Sequence, residues 1–124
     1  MWVSRIGDLL NQQKKPLNGS KILLLGVTYK PGIADERESP AVPLADLLLA
    51  KGADVTYHDQ FVKKWTLPNG DQLDVQADLN NAIDEADVVV MLQPHEQYSV
   101  NDIAERSKCF FDTRGVADEK YARL

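Results

Sequence analysis

The sequence is poor in the residues that build several kinds of site. It holds one cysteine, Cys109, in 124 residues, which excludes an internal disulfide and a cysteine-built zinc centre. Its two histidines, His58 and His95, lack the spacing of a metal pair and read as structural or loop residues. Positive charge is in deficit: 14 Lys and Arg stand against 19 Asp and Glu, a net charge of −5. Nothing then offsets phosphate repulsion over a whole face, so general nucleic-acid binding is excluded. No apolar run is long enough to span a membrane, and no leader with a basic start and an apolar stretch opens the chain. A soluble, cytoplasmic domain is expected. Three phosphate motifs are also missing. Gly26 does not open a G-x-G-x-x-G turn, and the stretch from Gly26 to Gly32 has the wrong spacing for a P-loop. Val27 and Thr28 stand where a phosphorylated receiver would carry acids.

What remains is a chain that is 44% hydrophobic, suited to one domain around one core. Trp2, Val3, Ile6, Leu9 and Leu10 form one apolar stripe at helical spacing, which predicts a helix over residues 2–15 ending before Pro16. That stripe begins with no start signal, as expected of a segment cut from a longer protein. Lys21 to Gly26 (KILLLG) and Asp87 to Leu92 (DVVVML) are apolar runs of the kind buried on both faces of a parallel sheet. Ser39 and Pro40 suit the start of a helix over 40–51 that stops at Gly52. Asp54 to Tyr57 reads as the next strand, completing a right-handed βαβ unit. Pro68-Asn69-Gly70 marks a turn between Trp65-Thr66-Leu67 and Gln72 to Val75, a small hairpin or looped insertion. Helices over 79–86 and 99–106, a strand over 108–111 ending at Asp112, and a polar tail read as a truncated last element complete the chain. The alternation predicts an α/β fold: a doubly wound, mostly parallel Rossmann-like sheet with an N-terminal linker helix.

In such a sheet, ligands bind at the carboxyl ends of the strands. Lys30, Arg37 and Arg114 collect there, in a chain that is otherwise acidic. Beside a helix N-terminus three cations suit an anion, most simply a phosphate. The alternative is that they are solvated loop charges pairing with Asp35, Glu36 and Glu38. Cys109 lies in the apolar stretch Lys108-Cys109-Phe110-Phe111, with Lys108 pointing to the opposite face, and reads as a core thiol.

The segment KILLLGVTYKPGIADERESP resembles the opening of the C-terminal domain of the UDP-glucose/GDP-mannose dehydrogenases. The likeness rests on Leu25-Gly26, Tyr29-Lys30, Asp35 and Arg37-Glu38-Ser39-Pro40. It continues through Gly52-Ala53-Asp54-Val55 and Tyr57-His58-Asp59, then Ala86-Asp87-Val88-Val89-Val90, and Phe111-Asp112-Thr113-Arg114. The pattern departs at Ile33-Ala34, where Thr and Asp are common, and at Gln60, where proline is usual.

The resemblance implies that residues 1–18 are the remnant of an interdomain helix and linker, and residues 19–124 a UDP-sugar-binding C-terminal domain. It implies an NAD-dependent UDP-sugar 6-dehydrogenase, which oxidises a C6 alcohol to a carboxylate through a cysteine thioester. The NAD fingerprint and that cysteine belong to N-terminal and central domains missing from this sequence, so the fragment alone is expected to be inactive. By the same resemblance Tyr29, Lys30 and Arg114 contact substrate, and Arg37 reaches the NAD cofactor across the domain cleft. No catalytic or metal-binding residue is assigned. The parent is expected to be a homo-oligomer. The His95 loop resembles enzymes of 2-acetamido sugars more than those of UDP-glucose. The alternative is a stand-alone nucleotide-binding or assembly module, with the stripe of residues 2–10 as its contact surface.

Overall fold

The structure, a computed structural model, describes residues 2–27, 41–59, 64–67, 70, 72–76, 78–92, 98–113 and 122–123. Tyr29, Lys30, Arg37, Arg114, His95 and the Ser39-Pro40 helix start lie outside the described residues.

The elements run α1 (Trp2–Gln12), β1 (Lys21–Leu25), α2 (Ala41–Ala50), β2 (Asp54–His58), β3 (Lys64–Thr66), β4 (Gln72–Asp74), α3 (Leu79–Glu85), β5 (Val88–Met91), α4 (Val100–Arg106), β6 (Phe110–Asp112) and β7 (Ala122–Arg123). Among the described residues five strands form one sheet in the order β2-β1-β5-β6-β7, with every pair parallel. The two apolar runs are its centre. Alternate residues of β1 serve opposite faces: Ile22 and Leu24 join the core beneath α1 and α2, while Leu23 and Leu25 join the core beneath α3 and α4. All four are fully buried. A strand segment with both faces covered has no position for a polar side chain, which explains the unbroken ILLL run of residues 22–25, after the exposed Lys21, and the VVVM run of β5. Truncating Leu24 to alanine would cost about 2–5 kcal/mol.

The hairpin forms as expected, with Trp65 opposite Leu73 in antiparallel β3 and β4. It docks beside β2 through a bridge between Tyr57 and Val75, and Trp65 meets the Tyr57 ring edge-on with centroids 5.4 Å apart.

Three features depart from the sequence reading. The first helix stops at Gln12, because Lys14 turns left-handed at φ 61°. The Lys15 N–H then bonds the Leu10 carbonyl and the Lys14 N–H that of Asn11, a Schellman closure usually built on glycine. Cys109 sits just before β6, half-buried against the α1 side rather than deep in the core, because the strand begins at Phe110 and not at Lys108. Burial raises the Cys109 thiol above its ordinary pKa, so the group is a neutral thiol at pH 7. The polar tail supplies a short edge strand, β7, with Ala122 opposite Phe111 and Arg123 opposite Asp112.

The helix over 41–50 ends as the sequence predicts. Gly52 takes φ +85°, with the Ala53 N–H on the Leu48 carbonyl and its own N–H on that of Leu49. A Cβ at Gly52 would lie 2.6 Å from Asn18 Oδ1, so the position also needs the missing side chain.

Candidate functional site

Strand order places the crevice. From β1 the chain crosses through α2 to β2 on one side; β5 pairs on the other side of β1, and the chain continues outward through β6. The reversal between β1 and β5 is a topological switch point, where adjacent connections leave in opposite directions and open a gap above the strand ends. The residues at that edge are Gly26 and Val27 after β1, His58 and Asp59 at the end of β2, Leu92 after β5, and Asp112 and Thr113 at the end of β6.

These ends are tied to one another. The Gly26 N–H bonds the His58 carbonyl at 3.0 Å, and the Leu92 N–H bonds the Leu25 carbonyl at 2.9 Å. Thr113 bonds the Met91 carbonyl twice, through its N–H at 3.2 Å and its hydroxyl at 2.7 Å. Gly26 holds φ 76°, a left-handed turn that carries the chain out of β1. One step on, the Val27 N–H donates to Asp59 Oδ2 at 2.8 Å. Asp59 is 2% exposed. An acid at the end of β2 is where an ordinary dinucleotide fold receives a ribose hydroxyl. Here the carboxylate is buried and engaged with the turn after β1. Together with the absent glycine fingerprint, this means that the described residues do not fit NAD at the β1 turn.

Tyr98 completes the edge. Its hydroxyl donates to the His58 carbonyl at 2.8 Å and lies 2.9 Å from His58 Nδ1. Burial, and then the negative charge of Asp59, hold the phenol well above its ordinary pKa, against the opposing pull of the Gly26 N–H. It is therefore a neutral donor at any physiological pH.

The four predicted site residues, Tyr29, Lys30, Arg37 and Arg114, lie outside the described residues, but the described anchors fix where their segments leave the sheet. Val27 precedes the segment carrying Tyr29, Lys30 and Arg37, and Thr113 is followed directly by Arg114. Sequence reading placed His58 and Asp59 at this edge but missed the tasks of Asp59 and Tyr98. Their partners are 32 and 40 residues away, and no local spacing reports that.

Among the described residues, clefts lie elsewhere. One is bordered by Lys21, Asp54, Thr56, Gln76 and Glu85 and one lies between α3 and α4. Neither includes a residue at the carboxyl ends of the strands. Ile6 and Leu10 of the α1 stripe are buried within the domain's own core, which leaves that part of the stripe unavailable as an outer contact surface. Among the described residues no helix is long and apolar enough to cross a membrane.

Comparison with known proteins gives a consistent result. The profile of the UDP-glucose/GDP-mannose dehydrogenase family, UDP binding domain, matches residues 23–119. A UDP-N-acetyl-D-mannosamine dehydrogenase of Methanocaldococcus jannaschii is 28% identical over 108 residues, 81% of this chain and 24% of the relative. A protein of the same name from Escherichia coli K12 is 33% identical over 117 residues, 90% of this chain and 27% of the relative. The chain thus spans about a quarter of the length of these relatives. The structure of a UDP-D-ManNAc dehydrogenase from Pyrococcus horikoshii superposes with a TM-score of 0.78 at 20% identity, covering 98% of this chain and 29% of that one. At that identity the likeness establishes the fold.

Proposed function

We propose a function from one premise: this chain belongs to the UDP-glucose/GDP-mannose dehydrogenase family and corresponds to its UDP-binding domain. Its role is to hold the nucleotide end of a UDP-sugar, so that the sugar C6 alcohol is oxidised to a carboxylate by groups elsewhere in a longer enzyme. The observation that carries this reading is the switch-point edge, where Val27 and Thr113 launch the segments bearing Lys30 and Arg114. Lys30 offers a point charge to a diphosphate oxygen, and Arg114 a planar set of donors. Tyr29 contacts the substrate beside them. Arg37 extends towards NAD, which is bound mainly by chain beyond these residues; no catalytic step is assigned within the domain. The interdomain linker is residues 1–18 and the binding domain residues 19–124. The parent enzyme is a cytoplasmic homo-oligomer. A 2-acetamido sugar is the favoured substrate, supported by the His95 loop and by the names of the two curated relatives above.

Titrating the 124-residue chain with UDP while following backbone amide shifts tests the reading. Shifts clustered at residues 26–38 and 112–115 are expected, with no reduction of NAD by the chain alone. The absence of shifts at millimolar UDP would overturn nucleotide binding by this domain.

A further inference from the structure

We infer that Tyr98 is a positioning residue of the nucleotide site, tying the chain that follows β5 to the end of β2 and so fixing the exit of β1 between them. The inference rests on the reading above and deepens it. Tyr98 precedes α4, and its ring packs in the core beneath α3 and α4 with Leu25 and Met91. Apolar packing alone would be served by phenylalanine. A hydroxyl carried into so buried a place loses its water and recovers that cost only through protein partners. Tyr98 has them. It donates its one proton to the His58 carbonyl at 2.8 Å. Its oxygen then accepts from His58 Nδ1 at 2.9 Å, which places the imidazole proton on Nδ1.

The His58 carbonyl also accepts the Gly26 N–H at 3.0 Å, and the neighbouring Asp59 carboxylate accepts the Val27 N–H. Two consecutive N–H groups leaving β1 are thus aimed by the last residue of β2, His58, and by Asp59 directly after it, and Tyr98 holds the first of these from the far side of β1. The pair order β2-β1-β5 makes this bond a strap across the switch point. Segments leaving β1 and β5 are both expected to border the ligand, so their relative placement bears directly on affinity.

Tyr98→Phe removes the hydroxyl and keeps the ring. Ile83→Val, in the same core, is the control for a merely structural loss. Nitrogen spectra of the wild-type His58 ring should show the proton on Nδ1; a proton on Nε2 alone would overturn the bond assignment. Tyr98→Phe should bind UDP about tenfold more weakly, while Ile83→Val, though less stable, keeps wild-type affinity. Unchanged affinity in Tyr98→Phe, or an equal loss in Ile83→Val, would overturn the positioning role. A wild-type chain that does not bind UDP would overturn the proposed function instead. Hydrogen exchange at Gly26 and Val27 would then decide the strap by itself: faster in Tyr98→Phe but not in Ile83→Val supports it, and no difference overturns it.

Discussion

Asp59 and Val27 meet across the sheet edge, carboxylate Oδ2 to backbone N–H at 2.8 Å, in a place that is 2% exposed for the acid. An acid so buried is tolerated because its carboxyl oxygen is hydrogen-bonded, and the turn it holds is the one that opens towards the proposed site. Asp59→Ala leaves the Val27 N–H buried without that partner. It should cost about 1–3 kcal/mol in urea unfolding. Asp59→Asn keeps an accepting oxygen and should lose less. If the two variants unfold alike, the hydrogen bond is not what Asp59 contributes.

Arg114→Ala should weaken UDP binding by about 1.5–3 kcal/mol, the loss of a charged hydrogen-bond donor. The unfolding midpoint should stay near that of the parent chain. Calorimetric titration checks both the affinity and its enthalpy. An unchanged affinity would remove Arg114 from the site.

Gly52→Ala tests two separable costs. The left-handed φ penalises a Cβ by about 1–2 kcal/mol. The 2.6 Å approach of Asn18 Oδ1 adds a clash that the Asn18 side chain can partly relieve by moving. The double variant with Asn18→Ala should therefore recover part of the loss and leave the backbone penalty. Thermal unfolding of Gly52→Ala, Asn18→Ala and the double variant separates the two contributions; full recovery in the double variant would mean that φ carries no cost there.

Asp87 gives the domain an acid limb. Burial works to raise its pKa. The hydrogen bond from Lys15 at 2.7 Å, the Lys21 N–H at 2.8 Å and the charges of Lys15 and Lys108 outweigh that, so the carboxyl titrates below its ordinary 3.8. A depressed folded pKa means that the stabilisation is fully present above the unfolded value and is lost as pH falls through the folded one. The contribution should therefore be constant near neutrality and fade below about pH 4. Asp87→Ala should cost about 1–2 kcal/mol at pH 7 and less at acid pH, once the carboxyl is protonated. Urea unfolding at neutral and at acid pH checks this, and an equal cost at the two would show that the charge is not the source.

Much of this was legible in the residues, for reasons that can be stated. The ILLL stretch of β1 and the VVVM strand declare themselves because burial on both faces admits only apolar side chains. The hairpin is announced by its turn, and the end of α2 by Gly52. The role of Tyr98 was not legible, because a phenol among apolar residues looks like core until its partner at His58 is known. The β7 strand escaped notice because Ala122 and Arg123 form no apolar run, and an edge strand of two residues needs none. Lys14 hid the end of α1, since nothing local marks a lysine for the left-handed region. The resemblance supplied the four site residues, and spacing alone left Lys30, Arg37 and Arg114 open between a phosphate site and solvated loop charges.

The crossing that creates the crevice also sets an order of assembly. β1 pairs with β2 early, since Lys21 meets Asp54 through a single βαβ unit. Its other edge stays bare until Val88 to Met91 are available to face Ile22 to Leu25. During synthesis a strand with four buried apolar residues therefore waits, half-paired, for the length of the hairpin and α3 to emerge. Pairing at such sequence separation is slow, and an unpaired apolar edge invites other chains. A chain cut before Val88 should thus aggregate rather than form a smaller version of the domain.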